Sequence, residues 1–124
     1  MGAMLSASMQ FAQGEAKNAR THLEWLVANG HDPVMRDLAR LRLAAVLLEE
    51  GNRAEALAAL EKAPVAGLSS RFDDLRGDIL SLDGKSAEAR KAYQAALDAL
   101  AREGVVAGDA LYEVIRVKSE SLEG

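Results

Sequence analysis

The sequence predicts an all-α fold, a solenoid of stacked helical hairpins, on three observations. Gly51-Asn52-Arg53-Ala54-Glu55-Ala56 is echoed 33 residues later by Gly84-Lys85-Ser86-Ala87-Glu88-Ala89. A helical apolar pattern lies on both sides of each turn glycine, and the echo continues with Leu60 matched by Tyr93 and Ala63 by Ala96. Half of the residues are apolar but only 4% are aromatic, which suits helices packed closely through small side chains. A helix–turn–helix period in the low thirties is the signature of a repeat array, whose stacked units form binding surfaces.

Seven helical segments follow along the chain. The first runs from about Ala3 to Gln13 and stops at Gly14. The second covers Glu15 to Ala28, with Ala16, Ala19, Leu23 and Leu26 on one face. Asn29-Gly30 ends it, since either residue tolerates the left-handed conformation that closes a helix. Asp32 then serves as N-cap and Pro33 as first helical residue, because the missing N–H of Pro33 would have been unpaired anyway. The third helix, Val34 to Glu50, is apolar around most of its circumference, as expected of a helix covered on several sides. Gly51 breaks it and Asn52 caps the fourth, about Arg53 to Lys62, which closes before Pro64. Ser69-Ser70 caps the fifth, Arg71 to Leu82, whose apolar stripe is Phe72, Leu75, Ile79 and Leu82. Ser86 opens the sixth, which ends near Glu103-Gly104. Asp109 caps the seventh, which reaches Ser121 and carries Leu111, Ile115 and Leu122.

Composition bounds the function. With 124 residues the chain makes one domain, spanning residues 1–124. Fifteen basic and 19 acidic residues give a net charge of −4, which supplies no electrostatic footprint for nucleic acid. The absence of cysteine removes disulfides, thiolate metal sites and cysteine nucleophiles. The longest apolar run, Leu43 to Leu48, is far shorter than the roughly 18 to 20 residues of a membrane span.

Aligned on their turn glycines, the two copies resemble tetratricopeptide repeats. Ala44 and Gly77 stand at the small position seven residues before the glycine, where the two helices of a hairpin cross closely. Ala56 and Ala89 match the second small position, Leu60 and Tyr93 the bulky one, and Ala63 and Ala96 the final alanine. A side chain larger than methyl at such a crossing would push the helices apart and open a cavity. A weaker copy centres on Gly14, with Ala7, Ala19 and Leu23 in corresponding places. Repeats are therefore expected at about residues 3–30, 33–63 and 70–103, as three hairpins of an α-α superhelix capped by a C-terminal helix at 109–121. The copies depart from the family pattern at Arg40 and Asp73, where tryptophan is preferred, at Arg76, where leucine is preferred, and in lacking the closing proline.

A narrower resemblance accounts for Arg76. The segments Leu38–Leu48, Asp74-Leu75-Arg76-Gly77-Asp78-Ile79-Leu80 and Ala87–Tyr93, with the tail Val117–Gly124, look like the C-terminal half of the YfgM family. That resemblance implies a periplasmic tetratricopeptide-like domain, held at the bacterial inner membrane by an N-terminal helix. It implies too an ancillary partnership with the SecYEG translocon, periplasmic chaperones or secreted clients. The anchor is expected to be missing from this chain, with Met1-Gly2-Ala3-Met4 reading as an artificial start and the remainder as a soluble fragment.

The search for chemistry finds no catalytic, cofactor or metal site. His22 and His31 are isolated, and a site needs a constellation, so surface or capping roles are expected. The ten glycines fall at helix ends or, for Gly77, at a crossing, and form no phosphate loop. Ser69-Ser70 has no base to activate it. Asp73, Asp74 and Asp78 read first as a solvated face moderated by Arg71 and Arg76. The sharper alternative places Asp74 and Asp78 on the inner surface of the superhelix, facing a basic partner segment. Tetratricopeptide geometry puts Leu38, Leu41, Ala45 and Leu48 of the third helix and Arg71, Asp74, Asp78 and Ser81 of the fifth on that surface. Trp25 is expected in packing between repeats in preference to a binding hot spot.

The leading expectation is a non-enzymatic protein–protein interaction domain. Its rivals are a cytoplasmic adaptor that binds a peptide segment and the non-catalytic helical arm of an enzyme or regulator. The N-terminal end is expected to be the loose one, and a homodimer would be one way of covering it.

Overall fold

The computed structural model describes the backbone of residues 2–122 and the side chains of residues 14–122 other than residue 16. The expectations placed on Met1, Glu123 and Gly124, and on the side chains of Ala7 and Ala16, lie outside those residues. Six α-helices occur among the described residues: α1 (Gly2–Asn29), α2 (Pro33–Glu49), α3 (Arg53–Ala59), α4 (Ser69–Leu82), α5 (Ser86–Arg102) and α6 (Ala110–Glu120). A single 3-10 turn, Ala66–Leu68, leads into α4. Each helix packs against the next, and the α2–α3 hairpin meets α4.

The two glycine turns are built as the repeat requires. Gly51 and Gly84 have φ of 84° and 75°, a backbone conformation that a Cβ disfavours. The amides of Gly51 and Asn52 then donate to the carbonyls of Leu48 and Leu47, and those of Gly84 and Lys85 to Ser81 and Leu80. Orphan carbonyls at both helix ends are satisfied in the same way.

Burial follows the repeat register. Ala44, Ala56 and Leu60 are fully buried in the core shared by α2, α3 and α4, with Leu47, Phe72 and Ile79. Their counterparts Ala89 and Tyr93 sit in a second core with Leu80, Leu97, Leu100 and Ile115, shared by α4, α5 and α6. Leu57 touches both cores and joins them. Ala96 is buried but Ala63 is exposed, because α3 ends before reaching it.

Several local expectations are corrected. Gly14 does not stop a helix, and α1 runs through it, so the two expected N-terminal helices are one. One glycine costs a helix only about 1 kcal/mol, and no N-cap or proline follows it to enforce a break. Asn29 and Gly30 are not left-handed. Gly30 is instead buried under Arg36, whose Nη1 donates to the Gly30 carbonyl at 2.8 Å. Ser69 and Ser70 lie inside the first turn of α4, which begins after Leu68, and Ser70 is buried. Asn52 and Asp109 occupy N-cap positions without side-chain capping bonds, whereas Asp32 accepts from the Met35 amide at 2.8 Å as expected.

The short α3 has a specific cause. Pro64 has no N–H to give the Leu60 carbonyl, so the last carbonyls of α3 need other donors. Arg40 donates from Nε to Ala59 O at 3.0 Å and from Nη2 to Lys62 O, and Arg76 donates to Leu60 O. Elsewhere Arg53 reaches Leu82 O at the end of α4, and Arg90 reaches Leu122 O beyond α6. Arginine side chains thus help to close the ends of α3 and α4 and the segment after α6.

Candidate functional site

The residues expected on the concave surface lie at i, i+3, i+7 and i+10 of α2 and of α4, which places each set on one side of its helix. Leu38, Leu41, Ala45 and Leu48 are all partly buried. Leu38 lines a crevice of about 100 Å³ between α1 and α2, with Leu23, Leu26 and Met35. Leu41 and Leu48 pack against the α2–α3–α4 core. The apolar wall therefore also belongs to the packing of the hairpin. Arg71 is exposed, and Asp74, Asp78 and Ser81 are partly buried.

The acids are not an open charged wall. Lys118 of α6 donates from Nζ to Asp74 Oδ1 at 2.7 Å and to Asp78 Oδ1 at 3.0 Å. The Tyr93 hydroxyl donates to Asp78 at 2.6 Å, and the Lys118 ammonium sits 5.3 Å from the centre of the Tyr93 ring. This corrects the solvated reading: α6 brings its own cation to the acid pair. Asp73 is separate, paired with Arg76 at 2.7 Å. Burial raises the carboxyl of Asp74 above its ordinary value even beside Lys118. Burial alone would lower Lys118, but hydrogen bonds and charge from both acids outweigh it and raise the ammonium. Burial and the Asp78 carboxylate raise the Tyr93 hydroxyl strongly, so it stays a donor.

Lys118 escaped the sequence reading because its partners lie 40 or more residues away, and Tyr93 was read only as a core position. A signal existed: Tyr93 replaces the core leucine of the preceding repeat, and a buried phenol needs an acceptor nearby.

Trp25 is 58% exposed on α1, against the expected packing between repeats. Leu82 is exposed too, and Leu80 fills the core in its stead. On α6 only Ile115 is buried, helped by Tyr112 and Leu122, while Leu111 and Val114 face outward. Among the described residues no group of His, Asp or Glu could hold a metal ion, and no helix is long and apolar enough to cross a membrane.

A family model described as a tetratricopeptide repeat-like domain matches residues 1–124. The chain belongs to that family. It is also 30% identical over 120 residues to a protein of Neisseria gonorrhoeae (strain ATCC 700825 / FA 1090) named the ancillary SecYEG translocon subunit. The similarity covers 97% of this chain and 55% of that protein, so the chain spans little more than half of its relative's length. No solved structure matches the chain. The resemblance drawn from Leu38–Leu48, Asp74–Leu80 and Ala87–Tyr93 agrees with this relationship. The tetratricopeptide-like array and the translocon relative point together to an interaction domain.

Proposed function

We propose that this chain is a non-catalytic protein-interaction domain of a secretory translocon accessory, working at the periplasmic face of the bacterial inner membrane. The observation that carries it is the similarity to an ancillary SecYEG translocon subunit along 97% of the chain. The partner is a translocon subunit, a periplasmic chaperone or a secreted client. Contact is made through the exposed parts of the α2 and α4 faces, around Ala45, Arg71 and Ser81. A surface already ordered by stacking binds without a large ordering cost. The adaptor reading that clamps a peptide carboxylate is weaker. Arg71 is the one basic residue among the expected concave positions, and Lys118 is already held by two acids.

Site-directed photocrosslinking tests the proposal without disturbing charge. A photoreactive residue at Ala45 or Ser81, in inner-membrane vesicles, should crosslink to translocon subunits or their chaperones. One at the exposed His22 of α1 should not. Crosslinks from His22 alone would move the contact away from these faces. Crosslinks from none of the three would remove the translocon reading.

A further inference from the structure

The repeat register leaves one hairpin unfinished. Gly14 stands to Ala7, Ala19 and Leu23 as Gly51 stands to Ala44, Ala56 and Leu60, and as Gly84 stands to Gly77, Ala89 and Tyr93. At Gly51 and Gly84 the chain turns, and the positions that follow are sealed: Ala56, Leu60 and Ala89 are fully buried and Tyr93 is 2% exposed. The seal is the preceding helix of the same hairpin, α2 for α3 and α4 for α5. At Gly14 the chain runs on as helix, and the matching positions are open. Ala19 is exposed and Leu23 only partly buried.

The residues that would supply the seal are on the chain itself. α1 has 28 residues and α2, which packs against it, has 17, so about ten residues at the start of α1, roughly 16 Å, project past α2. Residues 2–13 contain no Asp, Glu, Lys or Arg, whereas a helix surface left in water carries charge. A helical extension this short draws most of its stability from packing. Gly14 has no packing reason to be glycine in a straight helix, since a Cβ built on it meets nothing within 4 Å. There it only weakens the helix, but at a hairpin turn it would give the positive φ that Gly51 and Gly84 adopt. Those two turns form without a side-chain cap from Asn52 or Lys85, so Glu15 in the corresponding place is no obstacle.

We propose that Gly14 is a hinge, and that α1 exchanges between the continuous helix and a closed form in which residues 2–13 fold back across Ala19 and Leu23 as the first helix of a third hairpin. Closing breaks the helix where glycine already weakens it and gains cover for an apolar side, so the two forms lie close in energy. They offer different surfaces. The open form has a projecting helix and a bare side of α1, and the closed form has an array one repeat longer. A partner helix laid on the Ala19–Leu23 side takes the place of residues 2–13, so such binding and closure exclude one another.

Disulfide trapping tests the hinge, because the chain has no cysteine of its own. The variant carries Ala7→Cys together with Ala19→Cys in the whole chain. In the continuous helix these positions are about 18 Å apart, well beyond the roughly 4.4 to 6.8 Å that separates the Cα atoms of a disulfide. In the closed form they stand as Ala44 and Ala56 do. Each substitution adds a single heavy atom, and Ala19 is exposed, so the fold tolerates the change. Mild oxidation of a dilute sample should give an intramolecular disulfide, seen as a monomer of raised electrophoretic mobility. Adding Gly14→Ala should slow the trapping by about tenfold or more, since alanine strengthens the straight helix and resists positive φ. No disulfide, or a disulfide between two chains only, overturns the proposal. Trapping at the same rate with Gly14→Ala overturns it too, because the bend would then lie elsewhere. The trapping uses no translocon partner, so it and the photocrosslinks at Ala45 and Ser81 can each fail while the other stands.

Discussion

Gly77 lies so close to Tyr93 that a Cβ built on it would be 2.5 Å from Tyr93 Cε1 and 2.6 Å from Cδ1. The ring is hydrogen-bonded to Asp78 and walled in by the α5 core, so it has little room to withdraw. In the preceding repeat the same two positions hold Ala44 and Leu60, both fully buried. One repeat thus uses a methyl and a leucine where the next uses no side chain and a tyrosine. Gly77→Ala should lower stability by about 1 to 3 kcal/mol, the usual cost of overpacking. Adding Tyr93→Leu should recover part of that loss, so that the pair costs less than the sum of its members. Thermal melts of the two single variants and the double decide it; additive losses would show that the positions are not coupled.

Arg40 sits only 9% exposed in a hydrophobic setting, 5.0 Å over the Phe72 ring. Its guanidinium satisfies the carbonyls of Ala59 and Lys62 and pairs with Asp37 at 2.9 Å. Asp37 in turn accepts from the Val65 amide at 2.8 Å. Flat, cationic and stacked on an aromatic ring, Arg40 fills the place where the family prefers tryptophan, and it also closes α3. Arg40→Ala should cost about 3 to 5 kcal/mol, since it leaves a partly buried carboxylate without its cation and two carbonyls without their donor. Arg40→Lys should recover little, because an ammonium cannot make the planar fork. Denaturant titration of both variants is the check, and a lysine variant as stable as the original would show that charge alone suffices.

The fold was legible in the sequence wherever one residue type has one dominant use. Gly51 and Gly84 fixed both turns, Asp32-Pro33 fixed the start of α2, and the register of Ala44, Ala56, Ala89 and Ala96 fixed the core. Legibility failed where several outcomes are close in energy. Gly14 is tolerated inside α1 because its cost is small over a 28-residue helix. Ser69 and Ser70 are equally compatible with a cap and a first turn. The site was less legible than the fold. Asp74 and Asp78 were seen, but their cation comes from α6, and pairings between distant helices leave no local pattern. Leu111 was grouped with Ile115 and Leu122 for a related reason: periodicity shows that a face is apolar but not whether anything covers it.

The covering role of α6 is a firm expectation despite its exposed stripe. Ile115 is 1% exposed and packs with Leu97, Leu100 and Tyr93, supported by Tyr112 and Leu122. Ile115→Ala should therefore cost about 2 to 5 kcal/mol, the transfer and cavity cost of a buried isoleucine. A chain ending at Gly104 should expose the outer side of α5 and aggregate, because a terminal repeat needs its apolar face covered. Light scattering during a melt measures this. A shortened chain that stays monomeric and as stable as the original would make α6 an appendage.

Lys118 ties α6 to α4, and its tie should depend on pH in one direction. The folded ammonium is raised above the ordinary lysine value of 10.5, because Asp74 and Asp78 outweigh the burial that acts against it. A cation raised on folding contributes stability that is fully present below 10.5 and is lost as pH rises through its folded value. Asp74 does not work against this from the acid side. Burial raises its carboxyl, so its own contribution is complete below the ordinary 3.8 and declines as pH rises through the raised folded value. The stability advantage of the original chain over Lys118→Met should therefore be present at neutral pH and shrink as the solution is taken above the lysine range. Melts of the two proteins across that range provide the measurement, with the difference between them removing the effect of titrating groups that do not touch Lys118 or its partners Asp74, Asp78 and Tyr93. A difference that stays constant through the alkaline range would mean that the Lys118 stem holds α6 by packing, and that the bonds to Asp74 and Asp78 contribute nothing.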